Sequence, residues 1–349
     1  MAENVRRADP SSFVPGAMQQ FGSPLSTHAV FLVLRVAAAA QALDRVRGVL
    51  ADLSGTIKAV AFRDPSATLT CTVGIGSEIW PRLVGTPRPS QLRPFAPIVG
   101  EAHTAPATAG DLLFHIRADR ADICFEFERQ LMDALGDAVS TADETACFRY
   151  FDRRDVLGFV DGTANPVGDD IADTVLVGDE DPDNAGGTYI VTQKYLHPLS
   201  AWRALPTEVQ EAIMGRSKAD NIELDDATSG QKAHKTLATI VDDDGVEHDI
   251  LRDNMPFGRP GAAEFGTYFI GCCRDLWVIQ RMLERMFIGD PPGLHDRLLD
   301  FSSAVTGSVF FAPRPDVLDG LDDEPPTAPP ASGPPAPVAD SSLGIGGRS

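Results

Sequence analysis

DLLFHIRADRADICFEFERQLMDAL (111–135) and GTYFIGCCRDLWVIQRMLERMF (266–287) follow one plan. Each begins as a strand of β-branched and aromatic residues, crosses an Arg/Asp junction and enters a helical run. In the first copy Ile123, Phe127, Leu131 and Leu135 recur at helical spacing, which predicts a helix over 121–139. Working outward from that copy, 27–36 and 67–76 read as strands and 146–151 as a closing strand. Residues 37–55 read as a helix with Leu43, Val46, Val49, Leu50 and Leu53 on one face, closed by Gly55. Around the second copy, 187–197 and 307–313 read as strands, 199–215 and 275–288 as helices, with a hairpin between. Two βαββαβ units follow. The fold class is α+β: two ferredoxin-like modules whose antiparallel sheets pack together with helices outside, and a ligand at their junction or under one sheet.

Composition narrows the function. A formal charge of −20 argues against nucleic acid, which needs a concentrated basic surface. The apolar run 29–40 is short and broken by Arg35, and Arg6 and Arg7 lead no apolar segment, so neither a membrane span nor a secretory signal is expected and the reading is cytoplasmic. Five cysteines without CxxC spacing read as reduced thiols. PPTAPPASGPPAP (325–337), with seven prolines, reads as a polyproline-like spacer carrying SSLGIGGRS (341–349), where Leu343 and Ile345 alternate with glycines. That terminus is either a frayed tail or a short peptide ligand with two apolar anchors.

Two stretches hold candidate chemistry. VLGFVDGTANP (156–166) sets Asp161 among turn residues; it is either a strand end or a carboxylate that a flat ligand can approach closely. In KAHKTLATIVDDDGVEHDILRDNMPFG (232–258) a hairpin around DDDG, with Val241 opposite Val246, puts His234 across from Asp253 and turns Arg252 and Asn254 to the other face. An imidazole on one side of a flat cofactor, with a guanidinium and an amide on the other, is the equipment of a haem peroxidase. The plain alternatives are a surface histidine, a strand-end ion pair and a solvated acidic turn. His28, His103, His115, His197, His248 and His295 show no HxxH or HExxH spacing, so a zinc site has little support.

GFVDGTANP, AHKT, ILRDNMPFG, EFGTYFIG and LLDFSSAVTGSVFF, in this order, resemble the dye-decolourising peroxidases and within them the bacterial B-type branch. The resemblance covers residues 24–313: a first module at 24–151 and a haem-binding second module at 152–313, after an arm at 1–23 and before a flexible Pro-rich linker at 314–340. It implies haem b, with His234 as proximal iron ligand, Asp161 as distal carboxylate, Arg252 as distal arginine and Asn254 as a distal amide. Asp296 is the family's candidate for the carboxylate behind the ligand, with Asp300 as the alternative. The implied activity is reduction of H2O2 through a high-valent iron state with oxidation of small aromatic donors, dyes and phenols. The rivals are a non-catalytic haem carrier or haem-iron release protein, and a haem-free divalent-metal protein built from the DDD and DGT stretches. Ala164 stands where many relatives carry Glu, which puts Mn(II) oxidation at that edge in doubt. Trp202, Trp277, Tyr189, Tyr195 and Tyr268 are candidates, by type, to pass electrons to large donors. The tail resembles the peptide that loads cargo into encapsulin shells, through Leu343, Gly344, Ile345 and Gly346. B-type kinship implies a homo-oligomer, dimer or hexamer.

Overall fold

The computed structural model describes residues 19–21, 25–227 and 230–323. Most of the expected arm, the Pro-rich segment from 324 onward and the 341–349 peptide lie outside the described residues. The segment at 314–323, assigned to the linker from sequence, belongs to the folded body instead. It holds the short helix Pro315–Asp319 and buries Leu318 and Leu321 against the first helices.

The strand His28–Val36 pairs antiparallel with Leu112–Ala118 on one side and Val139–Phe148 on the other, and Thr70–Gly76 adds to Leu112–Ala118. The second half repeats this arrangement. Thr188–Leu196 lies between Ser308–Ala312 and Glu264–Cys273, and the next position is filled by Leu251–Arg252 and Met255–Arg259. That strand is interrupted at Asp253 and Asn254, whereas its counterpart Thr70–Gly76 is continuous.

The two expected sheets are also joined at an edge. Phe310 pairs with Gly76 and Phe311 with Ile75, giving one ten-stranded sheet. It curls so that the halves meet face to face as well: the Phe31 ring, stacked on its strand neighbour His115 at 4.4 Å, also stacks across the halves on Tyr268 at 4.1 Å. Rings in such contact add about 0.5–1.5 kcal/mol per pair beyond the area they bury. Helices cover the outer faces. In Ala121–Leu135 the buried Ile123, Phe127, Leu131 and Leu135 form the inward stripe, and Gly136, at φ +52°, ends the helix early.

Other boundaries moved for local reasons. The 37–55 helix is two, Ala40–Ala51 and Leu53–Ala61. Gly55 does not close the first; it sits inside the second, where an added Cβ would lie 2.6 Å from the Asp52 carboxylate. Residues 199–215 form Leu199–Arg203 and Thr207–Met214, divided near Pro206. The closing strand starts earlier, at Val139, because its polar, largely exposed first half is an edge that apolar patterning does not mark.

The halves are tied next to the strand break. Arg117 donates from Nη1 to Asp253 Oδ2 at 2.8 Å and from Nη2 to the Gln20 carbonyl at 2.6 Å. Both side chains of the Arg117–Asp253 pair are largely withdrawn from water, so each charge depends on the other.

Candidate functional site

Under the sheet of the second half lies a cavity of about 320 Å³. Thr267 and Phe269 line it, while Tyr268 and Ile270, alternating with them, face the other half of the sheet. Val278, Met282 and Met286 line it from the helix Leu276–Phe287, Leu298 and Leu299 from the 3₁₀ turn Arg297–Phe301, and Leu157 and Phe159 from a loop. His234, Asp161, Arg252 and Asn254 all border this one space.

His234 does not lie on a hairpin strand, as the sequence reading had it. The paired segments are only Ile240–Val241 and Glu247–His248, with Ile240 opposite His248 and Val241 opposite Glu247. Asp242 N–H bonds to the Val246 carbonyl, and the Asp242 carboxylate accepts from Asp244 and Val246 N–H. Gly245, at φ +81°, completes a three-residue loop, so the register is one residue off the expected one. His234 instead opens the short helix His234–Ala238. Arg285 donates to the Thr236 and Thr239 carbonyls at the far end of that helix, and Lys235 pairs with Glu223 and Asp226.

Behind His234 stands Asp296, at 0% exposure. The His234 Nδ1 to Asp296 Oδ2 distance is 2.6 Å, and Asp296 Oδ1 accepts the Leu298 N–H at 2.9 Å. An ionised carboxylate only accepts, so Nδ1 carries the proton and Nε2 keeps the lone pair for a metal. Burial alone would lower the His234 pKa; the Asp296 charge and hydrogen bond outweigh it and raise it. Asp300, the alternative partner, is engaged elsewhere, with His103 and His295.

The opposite group of residues is held by backbone and amides. Asp161 Oδ1 accepts from Gly162 N–H at 2.7 Å and from Asn254 Nδ2 at 3.4 Å, while Asn254 Oδ1 accepts the Ile270 N–H. Asn165 grips the Arg252 backbone in both directions, donating to its carbonyl at 2.5 Å and accepting its N–H at 3.0 Å. The Arg252 Nε is buried without a partner among the described residues. An orphaned cationic donor, a carboxylate held by an amide, a carboxylate-backed imidazole and apolar walls fit an iron-porphyrin with a small polar ligand.

A Dyp-type peroxidase N-terminal model matches residues 21–149 and a Dyp-type peroxidase C-terminal model residues 152–317. The chain belongs to the Dyp-type peroxidase family. A dye-decolorizing peroxidase of Rhodococcus erythropolis is 48% identical over 333 residues, 95% of this chain and 97% of the relative. One from Mycolicibacterium paratuberculosis is 50% identical over 334 residues, 95% of this chain and 92% of that one. Among solved structures, DypB of Rhodococcus jostii RHA1 superposes with a TM-score of 0.85 at 53% identity, covering 88% of this chain and 99% of that one. Variants of that protein have been solved in complex with heme. The encapsulated DyP-type peroxidase of Mycobacterium smegmatis gives 0.85 at 49% identity, covering 90% and 100%.

Three features of this Dyp-type site were not foreseen. Asn165 read only as half of an Asn-Pro turn, although an Asn can satisfy a strand's donor and acceptor together. Asp253 looked like a neighbour of Arg252 and proves to be an anchor to the first half. Asp155 accepts the N–H groups of Gly158 and Phe159 and shapes the loop that carries Asp161. Of the five aromatic candidates, Trp202, Tyr189, Tyr195 and Tyr268 are buried. Trp277 is 38% exposed, and its ring lies 4.9 Å from that of the cavity-lining His248. Ala164 borders the cavity and is exposed.

Burial drives the Asp155 carboxyl up to about 7, and its N–H donors offset only part of that. The folded chain thus holds this proton more tightly than the unfolded chain, whose carboxyl titrates near about 4. Stability from this group is full below about pH 4 and is lost as pH rises through about 7. In urea denaturation, wild type should lose stability relative to Asp155→Asn between those limits; parallel pH profiles would contradict this.

Proposed function

We propose that haem b occupies this cavity with His234 Nε2 on the iron, and that Asp161, Arg252 and Asn254 handle hydrogen peroxide on the other side. The observation carrying this is the fully buried Asp296 bonded to Nδ1 of His234, an arrangement that fixes and strengthens an imidazole ligand. Bound haem supplies the iron that takes oxidising equivalents from H2O2 and passes them to small aromatic donors.

The polypeptide's share is proton handling and electrostatics. Asp161 takes a proton from H2O2 and returns it to the departing oxygen, and Asn254 holds the carboxylate for that exchange. Arg252 offers its unpaired N–H to the charge that builds on that oxygen, and the Asn165 clamp fixes the backbone from which it reaches. A carrier would need none of these groups, and the half-buried Arg252, whose Nε is shut off from water with no partner among the described residues, is costly to keep without a use.

The same reading extends to the ends of the chain. SSLGIGGRS, through Leu343, Gly344, Ile345 and Gly346, docks in an encapsulin shell, placing the enzyme in a cytoplasmic nanocompartment as a homo-oligomer. The sequence pattern and the encapsulated relative support this.

His234→Ala should purify without a Soret band. Arg252→Leu should keep the band and react with H2O2 about 10²–10³-fold more slowly in stopped-flow mixing; wild-type kinetics would remove Arg252 from the distal role. Removing 341–349 should abolish co-purification with a co-expressed shell and leave turnover intact. Retained loading would refute the docking assignment.

A further inference from the structure

His103, His295 and Asp300 lie outside the cavity's chemistry, yet three ligand-type atoms converge there, all within 4.8 Å of one another. The Nε2 atoms of both histidines are 3.0 Å from the same carboxylate oxygen, Asp300 Oδ1. The rings meet edge to face at 4.7 Å. His103 is 197 residues from Asp300, so no local spacing brings them together. The packing does. Gly100, in the loop leading to His103, lies so close to the Phe287 carbonyl that a Cβ there would sit 1.9 Å from it. His295 is held by its carbonyl, which accepts from Gln231 Nε2, and Asp300 by the 3₁₀ turn Arg297–Phe301.

We propose that His103, His295 and Asp300 form a binding site for a divalent first-row transition ion of the zinc class. Two imidazoles and one carboxylate suit such an ion better than Mg²⁺ or Ca²⁺, which prefer all-oxygen shells. Tetrahedral bonds of about 2.0–2.2 Å place ligand atoms roughly 3.3–3.6 Å apart, so the two 3.0 Å separations need open by only a few tenths of an ångström. Side-chain exposures of 25%, 23% and 35% leave the ion a path and a position for water. The Glu101 carboxylate, two residues from His103, stands near Gly293, two residues from His295, and adds negative charge at the edge. The bland alternative is two imidazoles donating to one oxygen. Burial would raise the Asp300 carboxyl, but in that arrangement the hydrogen bonds from His295 and His103 hold it below its ordinary range; an ion would displace those two N–H protons and take their place. An ion here would tie the 100–103 loop of the first half to the segment carrying Asp296.

The test is equilibrium dialysis of the haem-loaded full chain against micromolar ZnCl2, with zinc and iron counted together by mass spectrometry. One saturable zinc per iron is expected. His103→Ala and Asp300→Ala should each weaken it at least tenfold while iron content stays constant, and His28→Ala should leave it unchanged. If His103→Ala loses haem, His103→Gln takes its place. No saturable zinc, or zinc affinity unaltered in both site variants, would overturn the proposal.

Discussion

The hydrogen bond between His234 and Asp296 is the constraint around which the second half of the molecule is arranged. A carboxylate at 0% exposure is tolerable only if its oxygens are occupied, and they are, by the imidazole N–H and the Leu298 N–H. Its own N–H bonds to the Met286 carbonyl at the end of the long helix, whose Arg285 also reaches the short helix that His234 opens. One helix therefore sets both members of the pair. The geometry is inherited from packing, and the chemistry of the imidazole follows from it.

The other side of the cavity rests on a broken strand. In the first half the corresponding strand is continuous and structural; in the second it is interrupted at Asp253 and Asn254, where the Asn254 side chain takes the Ile270 N–H that a strand partner's carbonyl would otherwise accept. Something must then hold the gap in shape. Asn165 replaces a strand partner for Arg252, Asn254 bridges Asp161 to Ile270, and Arg117 reaches across from the other half to Asp253. The first module, which contributes no candidate catalytic group, thus positions the segment that carries them.

Much of this was legible in the residues. The duplicated strand-helix pattern gave the α+β architecture, since 3.6 and 2.0 residue periods survive in any context. What escaped was decided by tertiary contact or by single residues. The hairpin register turned on whether Asp242 belongs to strand or loop, a matter of one hydrogen bond. Gly55 looked like a stop signal, yet it sits inside the helix Leu53–Ala61, since a lone glycine is tolerated there. His103, His295 and Asp300 escaped because metal-site spacing rules read local sequence, and these three meet only after two modules have packed. Asp296 and Asp300 could be ranked from sequence only by kinship; the structure distinguishes them by partner.

The central claim, that Asp296 acts through His234 on a bound iron, is tested most directly by the midpoint reduction potential of Asp296→Asn in the haem-loaded protein. An amide in place of the carboxylate keeps a hydrogen-bond acceptor but removes the charge that makes the imidazole a stronger donor and favours the ferric state. The account predicts full haem occupancy with a potential shifted to more positive values. Full occupancy with an unshifted potential would contradict it.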